Sequence, residues 1–169
     1  MSGIIDTAGS KSGLVGRDLY TTGMVLQTIN DLDRGTERST SSSSYEDVGG
    51  LSCAITCGGH NSKFSIFAHS GMSHTAASAN LHMNIKRVIT GGATTNELSG
   101  NLAGQSYYYG ITHNRVKDWT GTQIFYIDTP AQAVGTTITY SLRFYGDGYL
   151  VTWLHAYGSA SMTVQEIAV

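Results

Sequence analysis

One-sided alternation near the end of the chain constrains the fold more than any other feature. Between residues 137 and 144 the apolar side chains occupy every second position, at Ile138, Tyr140, Leu142 and Phe144. A period of two predicts a β-strand with one buried face. The Gly-Asp-Gly sequence at 146–148 supplies the residue types that a tight antiparallel turn needs. We therefore predict a hairpin into a strand at 149–154, followed by a last strand at 161–167.

Composition extends this prediction to the whole chain. The 169 residues include 21 glycines, one proline and only 13% charged residues, and no long helical pattern occurs among them. Such a composition is typical of one antiparallel all-β domain. The formal net charge of −2 and the scattered basic residues argue against nucleic acid as a partner. No segment has the ~20 apolar residues of a membrane span, and residues 1–6 lack signal-peptide features, so we expect synthesis in the cytoplasm and no membrane insertion.

Residues 1–20 differ from the domain that we expect at 21–169. Two short segments there place small residues before an aliphatic pair, namely Ile4 and Ile5 in the first and Leu14 and Val15 in the second. A segment of this kind buries too little surface to order itself. One interpretation is a disordered leader. The alternative that we favour is a flexible arm whose aliphatic pairs dock onto a partner protein.

Strand patterns recur through the middle of the chain. We predict strands near residues 24–29, 51–57, 63–69, 80–86, 107–109 and 124–127, with an exposed edge strand within 39–48 and a Gly-Gly turn at 49–50 before the strand at 51–57. A charged loop at 31–38 and a long loop of small residues at 90–104 separate some of them. About ten short strands with alternating faces favour an antiparallel sandwich of the jelly-roll kind.

Several motifs resemble a known family. The segment from Ser43 to Thr56, the segments at 125–130 and 137–143, and the ending Met162 to Ile167 are similar to a β domain of small tail-fibre-like and other virion structural proteins of marine bacteriophages. The leader at 9–16, Gly-Ser-Lys-Ser-Gly-Leu-Val-Gly, is similar to the peptide that begins many proteins of the same phages. The Cys-Gly-Gly-His-Asn sequence at 57–61 departs from that pattern. The departure affects the expected geometry of one loop and not the expected fold. The resemblance implies a fibre-knob-like domain that forms a homotrimer.

Two aromatic runs place apolar side chains on both faces of a strand. A strand of that kind must be covered on both sides. Together with the resemblance, this predicts a trimer interface that contains Tyr107, Tyr109, Phe125 and Ile127. The alternative is that loops of the same chain cover these side chains.

Motifs for catalysis are absent from the sequence. It contains no nucleophile elbow, no His-Glu-x-x-His and no phosphate-binding glycine motif. Asp128 flanks a predicted turn, which explains an aspartate without catalysis. We expect Glu166 to face outward, because the alternation of the last strand slips there. The sequence therefore predicts no catalytic residue and no enzyme.

Metal and cofactor sites are not predicted either. Cys53 and Cys57 lie too far apart along a strand for a disulfide and are expected to be buried as small apolar residues. His69, His74 and His82 could gather around one loop, but surface or hydrogen-bonded histidines arise more often from such a spacing. We predict no metal ion and no cofactor.

Two functions follow from these observations. The first is a non-enzymatic virion structural protein, a trimeric β knob that its arm anchors to a capsid or tail component as a decoration, cement or short fibre-like element. The alternative is a receptor-binding fibre tip that recognises host-surface glycan, with Trp119 as the best candidate for an exposed ring. Both place the protein in the virion, and the absence of repeats that would build a shaft favours the first.

Overall fold

A computed structural model of the chain describes residues 21–34, 37–74, 80–98, 108–109, 120–146, 148, 150–153 and 159–169. All regular structure within these ranges is β. No helix in them is long and apolar enough to cross a membrane. The eleven strands are β1 (Val25–Arg34), β2 (Arg38–Thr40), β3 (Glu46–Thr56), β4 (Lys63–His74), β5 (Asn80–Ile89), β6 (Thr94–Thr95), β7 (Tyr108–Tyr109), β8 (Thr120–Asp128), β9 (Thr137–Tyr145), β10 (Val151–Trp153) and β11 (Ser159–Ile167).

The strands form two antiparallel sheets, and their order is that of a jelly roll. The first sheet runs β1-β11-β4-β10-β2, and β8 pairs with β4 along its other edge. The second runs β3-β9-β5-β6, with β7 also paired to β5. The long pairings join β1 to β11, β11 to β4, β4 to β8, β3 to β9 and β9 to β5, and strands that are distant in sequence are therefore neighbours in both sheets. This confirms the predicted all-β, jelly-roll-like sandwich.

The core lies between the two sheets and follows the alternation of the sequence. Strand β9 alternates perfectly between half-buried and buried residues, as predicted. Strand β11 does the same after an exposed first residue. Both sheets contribute to the core cluster, whose fully buried large members are Tyr140, Phe64, Leu51, Ile55, Ile66, Met83, Ile85, Ile138, Leu142 and Met162.

The predicted hairpin at 146–148 is wrong. Gly148 does adopt a positive φ of 82°, as the turn residues suggested. However, β9 pairs with β3 on one edge and with β5 on the other, so it has no free edge for the next strand. The chain therefore crosses to the other sheet, where β10 pairs with β2 and β4.

The predicted charged loop at 31–38 is also corrected. Strand β1 continues through Arg34, which pairs with Ser159 at the start of β11. The charged Asp31 is accommodated within this strand because its carboxylate accepts a hydrogen bond of 2.8 Å from the amide of Ser52. The predicted edge strand within 39–48 is present in shortened form as β2, whereas the predicted turn at Gly49 and Gly50 is wrong because both residues lie inside β3.

Candidate interaction surface

The outer face of the first sheet carries no formal charge over its central part. Pairing across β1, β11, β4 and β8 aligns three rows of four residues: Leu32, Ser161, His69 and Gln123; Asn30, Thr163, Phe67 and Phe125; and Thr28, Gln165, Ser65 and Ile127. All of them are half-buried or exposed. We call these positions the uncharged face. None is Asp, Glu, Lys or Arg, which is unusual for a surface in contact with water.

Three large apolar side chains lie together on the uncharged face. Phe67 and Phe125 are direct cross-strand partners, and Ile127 lies two residues from Phe125 on the same side of β8. Their exposed fractions are 41%, 58% and 42%. A cluster of exposed apolar side chains within rows that contain no Asp, Glu, Lys or Arg has the composition of the centre of a protein interface.

The outer face of the second sheet has the opposite character. Asp47 accepts a hydrogen bond of 2.7 Å from Lys86 and lies 2.9 Å from Nε of Arg143. The hydrogen bond from Lys86 is the main cause that holds the pKa of Asp47 below its ordinary value. We call this the charged face. Ion pairs of this kind remain solvated at a protein surface, so the charged face does not require a partner protein to cover it.

Glu166 lies on the core side of β11 and is fully buried, so the expectation that it faces outward is wrong. Its carboxylate accepts hydrogen bonds from the amides of Gly58, at 2.9 and 3.0 Å, and Gly59, at 2.8 Å. Gln27 donates a further bond of 2.5 Å from its side chain. The Gly-Gly sequence that departs from the resembled pattern therefore forms a nest of amides for a carboxylate.

These hydrogen bonds set the charge state of Glu166. Burial alone would raise its pKa, but the bonds from Gln27 and from the amides of Gly59 and Gly58 outweigh it, so the pKa lies below its ordinary value. Space also restricts the nest, because a Cβ on Gly59 would lie 2.5 Å from Oγ of Ser62. The carboxylate thus fastens the loop between β3 and β4 to the last strand.

Asp128 provides a second buried carboxylate, between the sheets. Arg87 binds both of its oxygens, at 2.7 and 2.9 Å, and Tyr140 donates a hydrogen bond of 2.8 Å. Asp128 belongs to the first sheet, whereas Arg87 and Tyr140 are neighbours in the second. Burial is the main cause that raises the pKa of Tyr140 far above its ordinary value. The turn explanation for Asp128 is therefore replaced by a connection between the sheets.

Cysteines and histidines give no metal site among the residues that the structure describes. Cys53 and Cys57 are buried, as predicted, and burial is the main cause that raises the pKa of Cys53 to about 11. His69 lies on the uncharged face, 2.9 Å from Oγ of Ser161. His82 stacks on Tyr145 in the other sheet, with ring centroids 4.1 Å apart. The side chain of His74 lies outside the described residues.

The predicted site residues are partly accounted for. Phe125 and Ile127 lie side by side on the uncharged face. Tyr109 belongs to β7, where only its backbone pairing with Asn80 is described. The remaining predicted residues lie outside the described ranges, namely Ile4, Ile5, Leu14, Val15, Tyr107 and Trp119.

Sequence reasoning missed three residues that contribute to the apolar cluster or to the buried carboxylate sites. Phe67 completes the apolar cluster, and its signal was an aromatic residue on the otherwise polar side of a one-sided strand. The signal for Glu166 was its even spacing after Met162 and Val164, which places it on the core side. Arg87 gave no local signal, because its partner comes from the other sheet.

The chain is similar to known proteins in structure but not in sequence. No family model matches the chain, and no curated protein sequence matches it. Solved structures that it resembles include infectious bursal disease virus of the Gx strain, with 8% identity, a TM-score of 0.44, and coverage of 85% of this chain and 37% of that one. A VP2 subviral particle of infectious bursal disease virus has 10% identity, a TM-score of 0.43, and coverage of 85% and 38%.

The T=1 particles derived from infectious bursal virus have 9% identity, a TM-score of 0.42, and coverage of 98% and 41%. This chain therefore spans about two-fifths of the length of the chains that it matches. The jelly-roll assignment itself rests on the strand order.

Proposed function

We propose that this chain is a non-enzymatic structural subunit of a bacteriophage virion, a homotrimeric β knob that associates through its uncharged face. The observation that carries the proposal is the cluster of Phe67, Phe125 and Ile127, which is exposed within three aligned rows that contain no Asp, Glu, Lys or Arg. The resemblance of the sequence motifs to virion proteins of marine phages supports the viral setting. A jelly roll alone does not, because lectins and cupins share it.

Magnitudes indicate what the uncharged face can contribute. Complete burial of a Phe or Ile side chain is worth about 1.5–3 kcal/mol, and these three are already about half-buried, so their further burial offers about 2–4 kcal/mol. Association costs at least about 4 kcal/mol. The cluster can therefore determine where two copies meet, but its burial alone does not supply enough free energy to hold them together.

Area leads to the same conclusion. Four strands about 4.8 Å apart and three rows about 6.6 Å apart cover roughly 400 Å². A stable interface takes about 800 Å² from each partner. We infer that a second element joins the contact, and the arm at residues 1–20 is the segment of the chain that our proposal assigns to this role and to anchoring on a capsid or tail component.

The buried carboxylates support a structural role. Catalytic carboxylates need access to a substrate. Asp128 is engaged by Arg87 and Tyr140, and Glu166 by backbone amides and Gln27. Both act as fasteners inside the domain.

Light scattering coupled to size-exclusion chromatography tests the self-association. We expect wild-type protein to have three times the 18.0 kDa mass of one chain. Phe125→Lys should weaken association at least tenfold, because it places an unpaired charge in the contact. Ala54→Lys is the matched control, since Ala54 is exposed on a strand of the other sheet and should leave the trimer intact. A wild-type monomer, or an equal loss in both variants, would overturn the proposed interface.

Quantitative mass spectrometry of purified particles tests the virion role. The chain is counted against the major capsid protein, with and without residues 2–16. Hundreds of copies that are lost on truncation would indicate a capsid decoration held by its arm. A few to a few tens of copies would place the protein at a tail or unique vertex and would favour the receptor-binding alternative. Absence from particles would refute the virion role.

A further inference from the structure

His69 is the one titratable residue among the twelve positions of the uncharged face. The other eleven are leucine, isoleucine, phenylalanine, serine, threonine, asparagine and glutamine, whose side chains stay neutral throughout the physiological pH range. An imidazole, in contrast, takes up a proton between about pH 5 and 8. A single side chain therefore determines whether these twelve positions carry a charge.

His69 lies beside the apolar cluster. Phe67 precedes it by two residues on β4, so both side chains lie on the same side of the sheet. Gln123 is the cross-strand partner of His69 on β8, as Phe125 is the partner of Phe67. Neighbouring rows of a sheet are only about 6.6 Å apart. A contact that covers the two phenylalanines therefore also reaches the imidazole, which is half-buried in a single copy.

Ser161 can serve this imidazole in both of its charge states. Its Oγ lies 2.9 Å from Nδ1 of His69. A hydroxyl both donates and accepts, so Ser161 can donate to a bare Nδ1 or accept from a protonated one. Water also reaches the half-buried ring in a single copy. Protonation should therefore leave the fold of the separate subunit intact.

The charged residues nearest to His69 on the outer side of the sheet are basic by register. Lys63 is exposed and lies six residues earlier on β4, an even spacing that places it on the same side. Arg34 pairs with Ser159, in the row next to that of His69 and away from Phe67. Both positions add positive charge near the ends of the uncharged face and supply no counter-ion for an imidazolium.

The acidic residues of β1 lie on the opposite side of the sheet. Asp31 and Asp33 pair with Met162 and Ala160, which are fully buried. Asp31 accepts its hydrogen bond from an amide of the second sheet, and Asp33 is bound by Arg38. Within the aligned rows of β1, β11, β4 and β8, no carboxylate shares the outer side with His69.

We propose that His69 makes self-association of this chain depend on pH, so that copies associate when the imidazole is neutral and separate when it is protonated. A three-fold arrangement brings three equal charges into one contact. Like charges that meet in a contact oppose association, and a charge removed from water without a counter-ion does so as well. The inference rests on the proposed trimer and adds the condition under which that trimer dissociates.

Proton linkage gives the direction of the effect. The trimer binds fewer protons than three separate copies do, so acid favours the separate copies. Most imidazoles are neutral at pH 7.5 and charged at pH 5.5. Glu166 stays ionised over this range, because its hydrogen bonds hold its pKa below the ordinary 4.5. Dissociation between these two pH values is therefore distinct from loss of the fold in stronger acid.

Analytical ultracentrifugation of the full-length chain at pH 7.5 and pH 5.5 tests the proposal. The readout is the ratio of the two association constants, so a substitution that weakens association equally at both values does not change it. Wild type should associate at least about tenfold more weakly at pH 5.5. His69→Gln keeps a neutral hydrogen-bonding side chain beside Ser161, and its ratio should be close to one.

Two further variants sharpen the test. His69→Lys is charged at both pH values and should associate at least about tenfold more weakly than wild type already at pH 7.5. His60→Gln is the matched control, because His60 is exposed in the loop between β3 and β4 and is not part of the uncharged face. This control should keep the wild-type ratio.

Equal or tighter association of the wild type at pH 5.5 would overturn the inference and leave the proposed trimer standing. A wild-type ratio in His69→Gln would also overturn it, since another group would then be the sensor. Failure of His69→Gln to associate at pH 7.5 would count against it, because a neutral side chain should sustain the contact. Circular dichroism checks the fold, and unfolding of the wild type at pH 5.5 would overturn the inference as well. A wild type that is monomeric at pH 7.5 would refute the proposed trimer itself.

Discussion

Two buried carboxylates hold this sandwich together in different ways. Asp128 is neutralised by a cation, since Arg87 reaches it from the opposite sheet. Glu166 has backbone amides and an uncharged side chain as its partners. The first connects sheet to sheet, and the second connects a loop to a strand. Both prevent a buried charge from remaining unsatisfied, but they should respond differently to mutation.

The difference concerns what is left behind when a partner is removed. Loss of Arg87 would strand a charge in the core, which is the most expensive outcome for a buried pair. Loss of the Glu166 charge would leave only neutral amides without an acceptor, and an unsatisfied neutral group lowers stability less than an unsatisfied charge. The stability of the domain should therefore depend more on the connection between the sheets than on the loop.

The largest effect is expected from Arg87→Met. Removing the cation should lower the free energy of unfolding by about 3–5 kcal/mol, because Asp128 stays buried without its partner. Denaturation in urea measures this. In the double variant Arg87→Met with Asp128→Asn no charge remains, so part of the loss should be recovered. A loss below about 1 kcal/mol in the single variant would show that Asp128 is not held by charge.

A smaller effect is expected from Glu166→Gln. The amide can accept hydrogen bonds at one atom only, so at least one of the donors from Gly58, Gly59 and Gln27 loses its partner. The free energy of unfolding should fall by about 1–3 kcal/mol in the same urea assay. Gln165→Ala is the neighbouring control on the uncharged face and should change it by less than about 0.5 kcal/mol. Equal effects of the two variants would contradict the nest.

The pH dependence of the free energy of unfolding should report on the charge of Glu166. The pKa of Glu166 is lowered from 4.5, so its contribution is complete above about pH 4.5 and is lost as the pH falls through the folded-state value. Wild type should therefore lose stability faster in acid than Glu166→Gln, with a difference in slope of at most about 1.4 kcal/mol per pH unit for one proton. Parallel curves between pH 5 and 3 would argue against a charged Glu166.

The smallest effect is expected from Tyr140→Phe. This change removes one hydrogen bond to Asp128 but leaves Arg87 on both carboxylate oxygens. The loss should be about 1 kcal/mol, and the ring keeps its packing against Phe64. A loss as large as that of Arg87→Met would mean that the tyrosine, and not the cation, compensates the charge.

Much of the fold could be predicted from the sequence, because alternation determines which side of each strand is buried. Strand β9 and the buried cysteines follow directly from it. The route of the chain could not be predicted in the same way. The turn at 146–148 has the residues of a hairpin, but the two edges of β9 are occupied by strands that are distant in sequence.

The candidate surface was predictable only in part, for a related reason. Phe125 and Ile127 were visible as exposed apolar residues within one strand. Phe67 joined them only when β4 and β8 were paired. Arg87 and Asp128 are 41 residues apart, and no local pattern links them.

The jelly roll brings the two ends of the described domain together. Gly23 donates a hydrogen bond of 2.9 Å to the carbonyl of Ala168, and Ala168 donates one of 2.9 Å to Met24. Hydrogen bonds in an antiparallel pair run perpendicular to the strands. Tension applied between these ends would therefore load the β1 and β11 bonds one at a time, as a zipper opens, and the domain should be mechanically weak along that line. A knob held through its arm alone would carry no such tension.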